Sequence, residues 1–316
     1  MSAPLAVSGT ESLQILVDSV ALGAVYALMA VGIGLVFGVL RLVNFAYGQL
    51  IMAGAYALAL TNGYSPVVSI LVCFGVVLAL SAAMEVAVFR PLRAATPATM
   101  LVATFAISFL LQSIAQVLPE RWGFGSLGRI VATLPRLNRP VSADSQVLIR
   151  WIWIVAIVVA GVALAALALF LARTSIGLQM RAAAADFRTA RLLGVRANGV
   201  IAFAVLLSGL LAATVSVIMS VEQPLVTPDY ALRDTILVLV GVVVGGIDRL
   251  LSATLGGFAV GFAVEALGGF LPSTGEWPFT SSLYRDSALF ALVILVLLLR
   301  PAGLFARRGQ GAAERV

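Results

Sequence analysis

The chain has 316 residues, 61% of them hydrophobic and 11% charged, with a net charge of +6. A soluble globular chain carries about 45–50% apolar and roughly 25% charged residues, so an ordinary soluble domain is excluded for want of polar surface. Disorder is excluded for the same reason.

The missing residue types narrow the chemistry. There is no His and no Lys, all 20 basic residues being Arg, and Cys73 is the single Cys. Without His there is no Ser-His-Asp triad and no His-bound zinc. Without Lys there is no Walker A lysine for P-loop ATP hydrolysis and no Schiff base. One Cys forms no internal disulfide. No catalytic site, metal, cofactor or nucleic-acid partner is expected. The basic balance is read as Arg gathered in the cytoplasmic loops of a membrane protein.

In chain order, residues 1–11 lack a basic stretch ahead of the first apolar run, so a cleaved leader is not expected. Apolar stretches then fall at 12–40, 43–61, 66–89, 98–118, 150–171, 199–221, 231–247, 253–271 and 285–300. At about 20 residues per span they predict an all-α polytopic membrane protein, with about nine transmembrane helices (eight to ten) in one domain over 1–316. The prolines agree. Pro66 and Pro97 stand at helix starts, where a missing N–H costs nothing, and Pro91, Pro119, Pro272 and Pro301 stand just past helix ends. With the C-terminus inside, thirteen Arg fall on the cytoplasmic side and seven outside, which favours that orientation. Glycines four apart, at 34 and 38, 241 and 245, and 257 and 261, suit close helix packing in lipid. Residues 37–55 and 245–263 share a weak internal similarity in the same orientation.

Two connections stand out. The loop at about 119–149 is outside and carries four Arg, with Trp122, Trp151 and Trp153 as interfacial anchors. The inside loop at about 172–198 has five Arg and Asp186, yet good helix formers dominate 178–193. Ser175 or Thr174 supplies an N-cap and Gly194 a left-handed C′ residue. A short, partly apolar helix outside the bilayer is predicted, covered by lipid headgroups or by a groove on a partner protein.

Polar residues inside the apolar map are few. Asn44, Tyr47 and Gln49 interrupt the second stretch, facing either a wet bundle interior or a turn at the interface. Ser108 and Gln112 lie one helical turn apart. Glu265 is the deepest carboxylate, Asp18 lies near the outer end of the first span, and Glu85 is read as interfacial beside Arg90.

These stretches resemble the permease subunits of branched-chain amino-acid (Liv-type) ABC importers. The similarity is carried by GAVYALMAVGIGLVFGVLRLVNFAYGQLIMAGAYALAL at 23–60, GLQMRAAAADFRTARLLGV at 177–195 and SGLLAA at 208–213. LVGVVVGGIDRLLSATLGGFAVGFAVEAL at 239–267 and YRDSALFALVILVLLLRPAGLFA at 284–306 complete it. Two positions depart from the family pattern: Tyr47 stands where His is expected, and Asp248-Arg249 replaces a small uncharged turn.

The resemblance implies a multi-pass bacterial inner-membrane protein forming half of a translocation pathway for branched-chain or related amino acids. It implies a second homologous permease subunit, two ATPase subunits, a periplasmic substrate-binding protein and membrane lipid as partners. The segment 177–195 becomes the cytoplasmic coupling helix, with Arg181, Ala185, Asp186, Arg188, Leu193 and Gly194 as ATPase contacts. Asn44, Tyr47, Gln49, Ser108, Gln112 and Glu265 are the candidates for the pathway. The competing reading is a self-sufficient secondary transporter or channel for a small polar solute, which needs midplane carboxylates such as Glu265. An intramembrane enzyme is the weakest reading, because there is no paired carboxylate motif and neither His nor Lys.

Overall fold

Ten helices account for about three quarters of the residues described in the computed structural model, which are 9–41, 43–93, 95–117, 128–141, 149–246, 249–270 and 291. They are α1 (Gly9–Leu40), α2 (Tyr47–Leu60), α3 (Pro66–Met84), α4 (Pro97–Val117), α5 (Trp151–Arg173), α6 (Ser175–Ala185), α7 (Phe187–Leu192), α8 (Ala197–Glu222), α9 (Leu232–Gly245) and α10 (Leu250–Phe270). Six of the helical segments are long and apolar enough to cross a membrane, and the apolar α2 is shorter, at 14 residues. Eight of the nine expected stretches therefore fall on helices; the ninth, 285–300, lies outside the described residues apart from residue 291.

The proline and cap signals act as elementary chemistry requires. Pro66 sits in the first turn of α3 behind Ser65, whose side chain accepts from the Val68 N–H at 3.4 Å. A π-helical turn, Glu85–Phe89, extends α3. Glu85 is buried and pairs with Arg93, not Arg90. Arg93 also donates to Asn198 at the start of α8, so the α3–α4 corner is tied to α8.

Burial separates an inner layer from an outer one. The best apolar window of α1 is 83% buried, whereas that of α5 is 17% buried. α1 packs along α10 and against α8, α5 and α9, and α2 packs against α3 and α8. Leu71, Val102, Phe105 and Val162 of the outer helices are exposed, as expected where lipid rather than protein is the neighbour. Trp151 is exposed, as an anchor would be, but Trp153 is buried in the packing.

The glycine pairs do pack helices. A Cβ on Gly256 would collide with the Gly241 carbonyl and lie 2.6 Å from Gly245 Cα, so α9 and α10 touch backbone to backbone. On the next face of α10, a Cβ on Gly261 would lie 2.8 Å from Tyr26 Cβ of α1. Small residues are what such close approach requires. The two internally similar segments each bracket a helix–turn–helix, α1 to α2 and α9 to α10. The start of α10 lies beside the last part of α1, where Leu250 packs on Gly34.

The described parts of the 119–149 loop hold an element that sequence periodicity did not show. β1 (Arg129–Ile130) pairs antiparallel with β2 (Leu225–Val226) at the end opposite α6 and α7, and Asn62 caps the ribbon, its side chain donating to the Ile130 carbonyl at 2.7 Å. Two-residue strands carry no readable alternation.

Candidate functional site

The segment singled out at 172–198 lies across the ends of α1, α5 and α8. Thr174 is the N-cap of α6, accepting from the Gly177 N–H at 3.0 Å. The single helix expected over 178–193 is instead two. Asp186 leaves helical geometry at φ −150°, and its carboxylate accepts from the Thr189 N–H at 3.1 Å, capping α7. A carboxylate that can cap a new helix competes with continuing the old one. Gly194 ends α7 at φ +89°, with bonds from the Gly194 N–H to the Arg191 carbonyl and from the Val195 N–H to the Ala190 carbonyl, both 3.1 Å. This is the Schellman pattern, and the positive φ explains the glycine.

Two faces result. Met180, Ala183 and Ala190 are buried against the bundle. Arg181, Ala185, Asp186 and Gly194 are exposed, as are Leu192 and Leu193, both above 80%. Arg188 lies in α7, its side chain outside those described. Two adjacent, almost fully exposed leucines leave apolar surface without a cover among the described residues.

This unit is linked directly to the α1–α2 turn. Arg41, immediately after α1, donates to the Ala184 carbonyl at 2.6 Å. Beyond it, Asn44 Oδ1 accepts from the Ala46 N–H at 3.1 Å within the turn that precedes α2, and the Thr104 side chain of α4 donates to the Val43 carbonyl at 3.4 Å. Asn44, Tyr47 and Gln49 are all buried to within 2%. The Tyr47 ring lies against Gly32, where a Cβ would sit 2.6 Å from its Cζ. Its hydroxyl and the Gln49 Oε1 have no hydrogen-bond partner among the described residues.

The other expected pathway residues are distributed along the bundle. Ser108 is buried on α4, one turn beyond Thr104, and Gln112 is half-buried a turn further on. Glu265 is half-buried at a different level. Gly261 packs on Tyr26 and Gly269 on Ile15, whereas Tyr47 meets Gly32. At 1.5 Å per residue, that places Glu265 roughly 15 Å from the Tyr47 level along α1.

Around Glu265 the structure assembles residues of which the sequence reading singled out only Asp18. Glu222, at the end of α8, lies within electrostatic reach of Asp234, Glu265, Asp18 and Arg150. Tyr26 donates to Asp234 at 2.6 Å across 208 residues of sequence. Gln14 donates to both Asp18 oxygens at 2.9 Å. Tyr230, in the α8–α9 connection, donates to the Gln223 carbonyl at 3.0 Å. Burial first, then the nearby Glu222 and Asp234, holds its phenol above the ordinary value, against a lowering hydrogen bond from Ser220. Asp234 reads in sequence as an acid in a first helical turn, a common stabilising placement. Nothing local pairs it with Tyr26. No group of three or more His, Cys, Asp or Glu among the described residues is arranged to hold a metal.

Comparison with known proteins agrees with this architecture. The family model described as branched-chain amino acid transport system / permease component matches residues 15–299. The high-affinity branched-chain amino acid transport system permease protein BraD of Pseudomonas aeruginosa is 30% identical over 308 residues, covering 93% of this chain and 96% of that protein. The corresponding permease protein LivH of Escherichia coli K12 is 28% identical over 317 residues, with the same coverage. A probable branched-chain amino acid transport permease protein LivH of Methanocaldococcus jannaschii is 26% identical over 285 residues, covering 88% of this chain and 87% of that protein. No solved structure matches significantly.

Proposed function

Because this chain belongs to the branched-chain amino acid transport permease family, a multi-pass membrane protein with several apolar spans, we propose that it is the permease half of an ABC importer for branched-chain or related amino acids. In this reading residues 1–316 form one transmembrane domain in a bacterial inner membrane, with α6 and α7 on the cytoplasmic side. A second permease completes the pathway, two ATPase subunits dock on α6 and α7, and a periplasmic binding protein delivers cargo to the β1–β2 end. The Arg bias and the family resemblance support that orientation.

One observation carries the reading. A two-helix unit is anchored by Met180, Ala183 and the Arg41–Ala184 bond, yet presents Leu192 and Leu193 outward. A rigid body fixed to several spans and apolar on its free face is suited to transmit a partner's movement. Arg181, Ala185, Asp186, Arg188, Leu193 and Gly194 are the proposed contacts. Asn44, Tyr47, Gln49, Ser108 and Gln112 are proposed to form or gate the pathway from the same end, and Glu265 to belong to its other end.

The secondary-transporter reading rests on the carboxylates around Glu222 as an ion site. Uptake into proteoliposomes separates the two. The importer reading expects uptake of a branched-chain amino acid only with the ATPase subunits, binding protein and ATP present. Uptake by this chain alone, driven by an ion gradient and indifferent to ATP, overturns it.

A further inference from the structure

A cavity of about 710 Å³ opens beside α7, between the ends of α1, α4 and α8. That volume lies within the roughly 300–1,000 Å³ usual for small-molecule sites. Four arginines line it, Arg41, Arg93, Arg191 and Arg196, and no carboxylate does among the described residues. Its remaining wall includes Leu40, Met100, Phe187 and Ile201. Arg93 is paired with Glu85, and Arg41 donates to the Ala184 carbonyl. Arg93 Nε is nevertheless buried without an acceptor among the described residues. Arg191 and Arg196 are exposed at the rim. Arg41 is held there at φ +55°, a left-handed conformation that a side chain other than Gly adopts only at a cost.

We propose that this cavity binds a phosphate-bearing anion, the headgroup of an anionic phospholipid. Guanidinium groups match phosphate oxygens through paired hydrogen bonds, and Arg191 and Arg196 stand exposed at the rim to offer them. The apolar wall and the position at the ends of three spans suit a ligand that is charged at one end and greasy at the other. Basic pockets between spans are where such headgroups are held. The inference rests on the membrane placement proposed above and is independent of cargo and of transport.

The test measures lipid retention by the full chain, not uptake. The chain is purified from nanodiscs of phosphatidylcholine with or without phosphatidylglycerol, and the retained lipid is read by native mass spectrometry. Wild type is expected to retain phosphatidylglycerol in preference to phosphatidylcholine. Arg191→Gln with Arg196→Gln is expected to lose roughly tenfold or more of it, each arginine contributing a factor of about five. Arg136→Gln with Arg139→Gln, an equal charge loss at exposed sites on the other end, is expected to change nothing. Equal retention by all variants, or equal loss in both double variants, overturns the site. Displacement of phosphatidylglycerol by added inorganic phosphate would overturn the lipid as the source and leave free phosphate. Lipid retention unchanged but ATPase co-purification lost in the Arg191/Arg196 variant would make the cavity a protein interface and overturn the proposal.

Discussion

Arg41 and Ala184 are joined by a 2.6 Å bond from the guanidinium Nη2 to the last-turn carbonyl of α6, an oxygen with no partner within its own helix. The arginine thereby ties the α1–α2 turn to the α6–α7 unit and sits favourably at a helix C-terminus. It does so from φ +55°, where Gly would be preferred. Arg41→Gly therefore separates two contributions that other substitutions mix. It relieves the left-handed backbone by about 1 kcal/mol and deletes the tie. The melting midpoint of the purified variant is expected to hold or rise, while ATP-driven uptake by the reconstituted assembly falls several-fold. Arg41→Ala keeps the strain, loses the bond, and is expected to melt lower than Arg41→Gly. Undiminished uptake in both variants would show that the tie transmits nothing.

Asp186 interrupts what composition reads as one helix, because its carboxylate caps α7 through the Thr189 N–H. Removal of such a cap costs about 0.5–2 kcal/mol. Asp186→Ala is expected to lower stability by that amount and to let α6 run into α7, redirecting Leu192 and Leu193. ATPase stimulation is then expected to fall. Asp186→Asn and Asp186→Ser keep a capping oxygen without the charge and are expected to preserve it. If Asp186→Asn fails as badly as Asp186→Ala, the carboxylate acts through its charge on a partner and not as a cap.

The two polar residues at the start of α2 are expected to respond differently. Asn44 has a local job, accepting from the Ala46 N–H. Asn44→Leu is therefore expected to cost about 1 kcal/mol as well as transport, whereas Asn44→Asp keeps both. The Gln49 carbonyl is buried without a partner among the described residues, so deleting it removes a desolvated group at little structural cost. Gln49→Leu is expected to insert, assemble and melt as wild type while uptake falls. Normal uptake by Gln49→Leu would place this residue in plain packing.

What was legible in the sequence is what local chemistry decides. Ser65-Pro66, Thr174 and Gly194 announce helix ends because each acts on backbone groups within a few residues. Long apolar runs announce spans because lipid tolerates no unpaired backbone. The break at Asp186 was hidden because a capping acid in an Ala-rich run looks like an ordinary surface charge. Helical spacing puts Glu85 one turn from Arg90 and shows no partner for it, whereas across the π-helical turn it pairs with Arg93. The Tyr26–Asp234 pair and the carboxylates around Glu222 come from four different helices, so no sequence window contains them.

The α9–α10 contact is the tightest backbone approach described, with Gly256 facing both Gly241 and Gly245. Gly256→Ala has no flexible side chain to push aside, since the atoms it meets are backbone. Overpacking of this kind costs about 1–3 kcal/mol or more. The variant is expected to melt several degrees lower and to assemble poorly. Gly75→Ala, on α3 with open space around it, is expected to be silent or slightly stabilising, because Ala favours a helix by about 1 kcal/mol over Gly. Equal melting of the two variants would mean that helices α9 and α10 separate easily.

Tyr26 is 1% exposed, and its hydroxyl reaches Asp234 in the first turn of α9 at 2.6 Å. A hydrogen bond to a charged group contributes about 1.5–3 kcal/mol net. Tyr26→Phe keeps the ring that fills the space beside Gly261 and removes only the donor. The purified chain is expected to melt lower by several degrees, with α9 released before α1 in hydrogen exchange. Asp234→Asn keeps an acceptor but removes the charge, so it is expected to lose less than Tyr26→Phe if the bond itself holds α9. The reverse order, with Asp234→Asn the more damaging, would show that the carboxylate matters mainly through Glu222 and Arg150 and their shared field, and that the tyrosine is only a bystander to it.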